Sequence, residues 1–289
     1  MGDSCCITLA KLLKKVLNTC PNHNIFTIFA GVKTIEIEGL CVGHIHAGMV
    51  AQNLCAAADS GRLTCLLGRN GIGKSTLLKT ISGFLPKMAG HIFLAGKEIS
   101  TLSNAQRARM VSVVLSSAPA ASGLKVSEVV ALGRTPFTGF WGFAHKTDKL
   151  CTAQAMQMTG VDHLADRYMN TLSDGERQKV MLAKALAQQA PIILLDEPTA
   201  YLDYPSKIEA MLLLRTLARK EGKTVLMSTH DVGLALQLAD DIWLLAEDGK
   251  LHTGEPPKMV LDENFRHFIE QSPQIKLDAD TLSIHISAQ

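Results

Sequence analysis

The sequence predicts an α/β fold with a mostly parallel sheet covered on both faces. Three observations carry that expectation. Strand-like apolar runs alternate with helical stretches along most of the chain, as crossover connections require. A glycine-rich loop at 68–75, GRNGIGKS, joins a buried strand to a helix. A mostly helical block at 102–189 then interrupts the strands.

Each element follows from its own pattern. KTIEIEGL alternates apolar and charged residues from Lys33, the period of a half-buried strand. RLTCLLG is continuously apolar and reads as a fully buried strand, with Cys65 as a small core residue. KSTLLKTISGFL places Leu77, Leu78, Ile81 and Leu85 at helical spacing, and GHIFLAGKEI predicts a hairpin turning near Ala95 and Gly96. Helical patterns follow in SNAQRARM, KVSEVVALGR, KTDKLCTAQAMQMTG and DGERQKVMLAKALAQQ. Strand-like runs return at PIILLDEP, TVLMSTHD and DIWLLAEDGK. The tail QIKLDADTLSIHIS alternates on either side of Asp-Ala-Asp and predicts a closing hairpin.

Composition narrows the function. A chain of 289 residues with a formal net charge of +2 has no electrostatic grip on nucleic acid or acidic lipid. Its longest apolar runs fall well short of the roughly 20 residues that cross a bilayer. The seven cysteines form no C-x-x-C pair and fit a reducing compartment. The N-terminus, MGDSCCITLAKLLKKVLNTC, begins with an acid where a secretory signal places a base. It departs from a myristoylation site because Cys6 stands where Ser or Thr is needed. Residues 1–32 are expected to be an amphipathic extension, 33–270 one domain with a helical insertion at about 102–175, and 271–289 the hairpin tail.

The chemistry concentrates at strand ends. GRNGIGKS fits the phosphate loop G-x-x-x-x-G-K-S/T through Gly68, Gly71, Gly73, Lys74 and Ser75, with Arg69, Asn70, Ile72 and Thr76 completing the wrap. Glycines let successive N–H groups turn toward phosphates, Lys74 adds a cation at the β and γ positions, and Ser75 offers a hydroxyl to Mg2+. Ile192 to Leu195 form a buried strand that carries Asp196 to its carboxyl end, where open α/β sheets bind ligands. Asp196 is placed to hold Mg2+, and Glu197 to face the attacking water. TVLMSTHD ends a second buried strand at His230, within reach of the γ-phosphate or that water. LSDGERQ at 172–178 opens another helix, whose exposed amides have no evident ligand nearby in the chain.

A phosphate loop, LSDGE, an acidic strand end and a His-ending strand, in that order, resemble the ATP-binding subunits of ABC transporters. The resemblance covers about residues 34–260, and LSDGE separates it from other phosphate-loop classes. It implies a P-loop NTPase (RecA-like) core with an antiparallel β-subdomain and an inserted α-helical subdomain. It further implies two copies clasped head to tail, with Ser173, Asp174 and Gly175 meeting the γ-phosphate of ATP bound to the other copy. AYLD at 200–203 is similar to the family's D-loop and brings Asp203 near the opposite site. Three positions depart from the pattern. His44, in VGHIHAG, stands where an aromatic normally stacks on adenine. Ser116 is nearest to the position of a Mg2+-sensing glutamine. Asp174 replaces a commoner glycine.

KVSEVVALGRTPFTGFWG at 125–142 resembles the importer branch serving ferric siderophore, haem and cobalamin permeases. The stretch from GEPPKMVLDENFRHFI onward is similar to the same branch. Four of the nine Phe and two Trp residues cluster at Phe137, Phe140, Trp141 and Phe143, to pack the helical subdomain or to line a groove for a permease helix. The expected activity is ATP hydrolysis with Mg2+, driving metal-chelate import from the cytoplasmic face of the membrane. The expected partners are a second copy, two permease subunits and, indirectly, a substrate-binding protein. The alternatives are a soluble ABC ATPase acting on ribosomes or DNA, and a nucleotide-dependent regulatory module.

Overall fold

The computed structural model describes residues 32–44, 48–115, 123–138 and 145–286. The chain begins with strands β1 (Lys33–His44), β2 (Gly48–Asp59) and β3 (Leu63–Leu67), then helix α1 (Lys74–Ile81). Strands β4 (Ala89–Leu94) and β5 (Lys97–Glu98), helix α2 (Asn104–Met110) and strand β6 (Val111–Val114) follow. Three helices come next: α3 (Val126–Ala131), α4 (Lys146–Met158) and α5 (Asp174–Ala187). The second half alternates β7 (Ile192–Asp196), α6 (Tyr204–Glu221), β8 (Thr224–Ser228), α7 (Val232–Leu238), β9 (Asp241–Leu245) and β10 (Leu251–Gly254). It closes with α8 (Pro256–Met259), α9 (Glu263–Ile269), β11 (Ile275–Asp278) and β12 (Ser283–Ile286).

A six-stranded sheet in the order β10-β9-β3-β8-β7-β6 forms the centre. All its neighbouring pairs are parallel except β10 with β9. Alternate residues of each strand enter opposite cores. Leu63, Cys65, Ile193, Leu195, Val225, Met227, Ile242 and Leu244 join helices α3 to α7 on one face. Leu66, Ile192, Leu194, Leu226, Trp243 and Leu245 join α1 and a second sheet on the other. Burial on both faces explains why these strands read as unbroken apolar runs.

The second sheet, in the order β2-β1-β4-β5, is antiparallel throughout. Here β1 behaves as its alternation predicts: Ile35 and Ile37 are buried, while Glu36 between them is half-exposed and Glu38 is exposed. The expected hairpin at Ala95 and Gly96 joins β4 to β5, both residues having positive φ. The tail forms its hairpin as β11 and β12, with Asp278 accepting from the amides of Asp280 and Thr281.

Helices α3, α4 and α5 pack on one another and bury Val126, Val129, Val130, Ala155, Met156, Val180 and Ala183. Arg134 locks this block. Its guanidinium donates to Asp148 Oδ1 at 2.9 Å and to the carbonyl of Ala187 at 3.0 Å, at the end of α5, and lies 4.3 Å from the Phe137 ring centroid. Both ion-pair partners are buried, so each depends on the other for its charge to be tolerated. Residues 1–31, Ser116, Phe140, Trp141 and Phe143 lie outside the described residues.

Candidate functional site

The loop from Gly68 to Gly73 leaves β3 at its carboxyl end and opens α1. Gly73 caps that helix at φ 116°, a conformation L side chains rarely adopt, and a Cβ there would lie 2.4 Å from a Val50 methyl. Lys74 is 5 % exposed, and its ammonium donates to the carbonyls of Gly68 at 2.8 Å and Arg69 at 3.0 Å. Burial lowers the Lys74 pKa, while the Glu197 and Asp196 carboxylates oppose that fall. Asn70 and Gly71 form the exposed tip, and Ile72 packs on the second core. Arg69 turns away to pair with Glu247 and to bond Gln271.

The parallel register brings the remaining residues to the same edge. Since β7 lies between β8 and β6, and β8 beside β3, the ends of β3, β7 and β8 are neighbours. Ser75 Oγ reaches Asp196 Oδ1 at 3.0 Å, so the two residues expected to share a cation face each other. A hydroxyl and a carboxylate are hard oxygen donors that suit Mg2+, which takes one or two carboxylates together with substrate phosphates. Glu197 Oε1 and His230 Nε2 are 2.6 Å apart. A cleft of about 330 Å³ opens beside them, lined by Thr199, Lys207, Asp231 and, from the hairpin tail, Ile284. His44 ends β1 with Nε2 3.4 Å from Thr76 Oγ1, which sets its ring beside the start of α1.

Ser173 is the N-cap of α5. The helix start is capped from within its own first turn. The Glu176 carboxylate accepts from the Ser173 amide at 2.8 Å and from its hydroxyl at 3.0 Å, and the hydroxyl accepts from the Glu176 amide at 3.2 Å. This reciprocal box satisfies amides that a helix leaves open. These bonds hold the Glu176 pKa below its ordinary value. Asp174 points outward and pairs with Arg177 at 2.9 Å. Gly175 packs against the D-loop stretch, where an added Cβ would lie 3.1 Å from the Tyr201 carbonyl. Asp203 caps α6 and accepts from the Ser206 amide at 3.2 Å.

Two residues at this edge escaped the sequence reading. Ser228, the last residue of β8, donates to Asp196 Oδ1 at 2.8 Å and accepts from the Glu197 amide at 2.9 Å. Gln178, on α5, donates to the Glu197 carbonyl at 3.3 Å. The only hint of Ser228 in the sequence was a hydroxyl closing the otherwise apolar run TVLMS. Gln178 left none, because only folding brings it to residue 197.

A parallel sheet with a phosphate loop, an acidic strand end beside it and an inserted helical block defines a P-loop nucleotide hydrolase. A family model for the ABC transporter matches residues 51–200. An uncharacterised ABC transporter ATP-binding protein of Methanocaldococcus jannaschii is 35 % identical over 79 % of each chain. The ferric enterobactin transport ATP-binding protein FepC of Escherichia coli is 37 % identical over 74 % of this chain and 79 % of its own. The cobalamin import protein BtuD of Halobacterium salinarum is 38 % identical over 79 % of this chain and 56 % of its own. Among solved structures, a metal-chelate type ABC transporter in an inward-facing conformation superposes with a TM-score of 0.73 at 25 % identity, covering 89 % of this chain and 97 % of that one. The chain belongs to the ABC transporter family, as an ATP-binding subunit that hydrolyses ATP to drive transport. No helix among the described residues is long and apolar enough to cross a membrane.

Proposed function

We propose that this chain powers an importer of metal chelates, a ferric siderophore, haem or cobalamin, as a head-to-tail dimer seated on two permease subunits at the cytoplasmic face of the membrane. A separate substrate-binding protein would deliver the cargo. The observation that carries the reading is one sheet edge holding Lys74, Ser75, Asp196 and the Glu197–His230 pair, with a second helix start at Ser173. Relatives that import ferric enterobactin and cobalamin support the cargo class.

In this reading Lys74 and the loop amides hold the phosphates, and His44 lies against the adenine. Ser75 and Asp196 would hold Mg2+, which would supply positive charge to neutralise the leaving phosphates. Glu197 orients the attacking water and takes its proton, and His230 keeps that carboxylate facing the site. Ser173 and Gly175 of the second copy, with Asp203 close by, complete the pocket at the γ-phosphate. That contact needs the Ser173 hydroxyl to leave Glu176, so the phosphate replaces a carboxylate already bound there.

The test compares two variants. Lys74→Ala loses ATP binding or hydrolysis. Glu197→Gln binds ATP, turns over about 10² to 10⁴ times more slowly, and elutes as a dimer with ATP on gel filtration. Elution of Glu197→Gln as a monomer at saturating ATP contradicts the clasped pocket.

A further inference from the structure

Glu197 combines two conformational burdens. Its φ of 51° lies in the left-handed region, uncommon for a residue with a side chain. It also precedes Pro198, whose ring crowds the residue before it out of helical conformations. Such backbone persists only where neighbours over-determine it. Here the neighbours are the Ala200 amide, which donates to the Glu197 carbonyl at 3.2 Å, and two side chains, one on each polar end of residue 197. Gln178 donates to its carbonyl, and Ser228 accepts from its amide.

Ser228 does more than cap an amide. It is fully buried and lies opposite Asp196 in the parallel register of β7 and β8. A hydroxyl has one proton to give, and this one goes to Asp196 Oδ1, while the oxygen takes the Glu197 N–H. Asp196 Oδ1 is the same atom that accepts from Ser75. A single oxygen therefore ties the orientation of the cation-binding carboxylate to the backbone of the next residue.

We propose that Ser228 is a positioning residue for hydrolysis, fixing the Asp196–Glu197 turn so that the Glu197 carboxylate stays on His230. This rests on the reading of Glu197 as the group that orients the attacking water. Without the hydroxyl, the Glu197 amide loses its partner and the left-handed turn loses one of its two side-chain restraints, the one on its amide. The carboxylate then leaves His230, while the phosphate loop is untouched.

The experiment measures ATP turnover alongside binding of a fluorescent ATP analogue in EDTA, so that affinity is read without the cation or catalysis. For Ser228→Ala, kcat falls about tenfold or more, while affinity in EDTA changes by less than about threefold. Ser228→Thr, which keeps the hydroxyl, regains most of the rate. Should Ser228→Ala fail to fold, Ser228→Cys, with a weaker donor of similar size, carries the same expected split. Wild-type kcat in the Ala or Cys variant overturns the proposal, and so does a loss of kcat matched by an equal loss of affinity. Glu197→Gln, assayed in parallel, separates the two readings. If it turns over at the wild-type rate, the role of Glu197 falls; if it is inactive while Ser228→Ala is fully active, only the role of Ser228 falls.

Discussion

Ser173 can be separated from its structural duty by a matched control elsewhere in the chain. Ser103 caps α2 with the same reciprocal box, its hydroxyl accepting from the Gln106 amide at 3.3 Å. The Ser173 hydroxyl accepts from the Glu176 amide at 3.2 Å. Replacing either serine with alanine removes an N-cap and costs about 1 kcal/mol of stability, a fall in Tm of roughly 2–4 °C for a chain of this size. The two variants should therefore unfold alike. They should bind ATP-bound partners differently. A hydrogen bond to a charged group contributes about 1.5–3 kcal/mol; because the Ser173 hydroxyl gives up one at Glu176 to make another at the phosphate, losing Ser173 should weaken ATP-dependent dimerisation by up to roughly 150-fold per site. The assay is sedimentation velocity with ATP, each alanine being placed in the Glu197→Gln background so that hydrolysis does not dissolve the dimer. If Ser173→Ala and Ser103→Ala dimerise equally well, Ser173 meets no phosphate and the clasped pocket is wrong.

Three further outcomes are expected. Arg134→Ala strands the buried Asp148 carboxylate, at a cost of about 3–5 kcal/mol; thermal denaturation should show Tm lower by roughly 6–20 °C. Glu176 has a folded pKa below its ordinary 4.5, so its contribution is complete above about pH 4.5 and fades as pH falls through the folded value. The Tm advantage of wild type over Glu176→Gln should accordingly be present at pH 7 and shrink below pH 4.5. Burial pushes the Cys65 thiol up to about 12, whereas Cys55 is exposed; a thiol reagent at pH 7 should modify Cys55 and spare Cys65 until unfolding, as read by peptide mass spectrometry.

What the sequence revealed, and what it hid, divides along physical lines. Strands β3, β7 and β8 are buried on both faces, so their unbroken apolar runs mark them without ambiguity, and the functional residues sit where those runs stop. Strand β2 escaped notice because GMVAQNLCAAAD keeps no alternation; its register with β1 shifts repeatedly, so inward positions do not recur at every second residue. Strand β10 is four residues on a sheet edge, three half-exposed and Thr253 exposed, and carries little apolar signal. The site was legible as residue types at strand ends. Its cross-links were not: Ser228 lies 32 residues from Asp196 and Gln178 lies 19 from Glu197. Arg134 was readable as part of ALGR, yet its hold on Ala187 spans 53 residues. Periodicity reports which face a residue takes, and says nothing of which distant residue it meets there.

The helix α5 carries Ser173 at one end and is gripped by Arg134 at the other. Fourteen residues make a rod about 21 Å long. Pivoting such a rod by about ten degrees at the guanidinium end sweeps the serine through nearly 4 Å, whereas hydrogen bonds tolerate only about half an ångström of stretch. A rigid rod of this length would act as a lever, so a tilt of that size at the Arg134 end would make or break any contact formed by Ser173 at its tip.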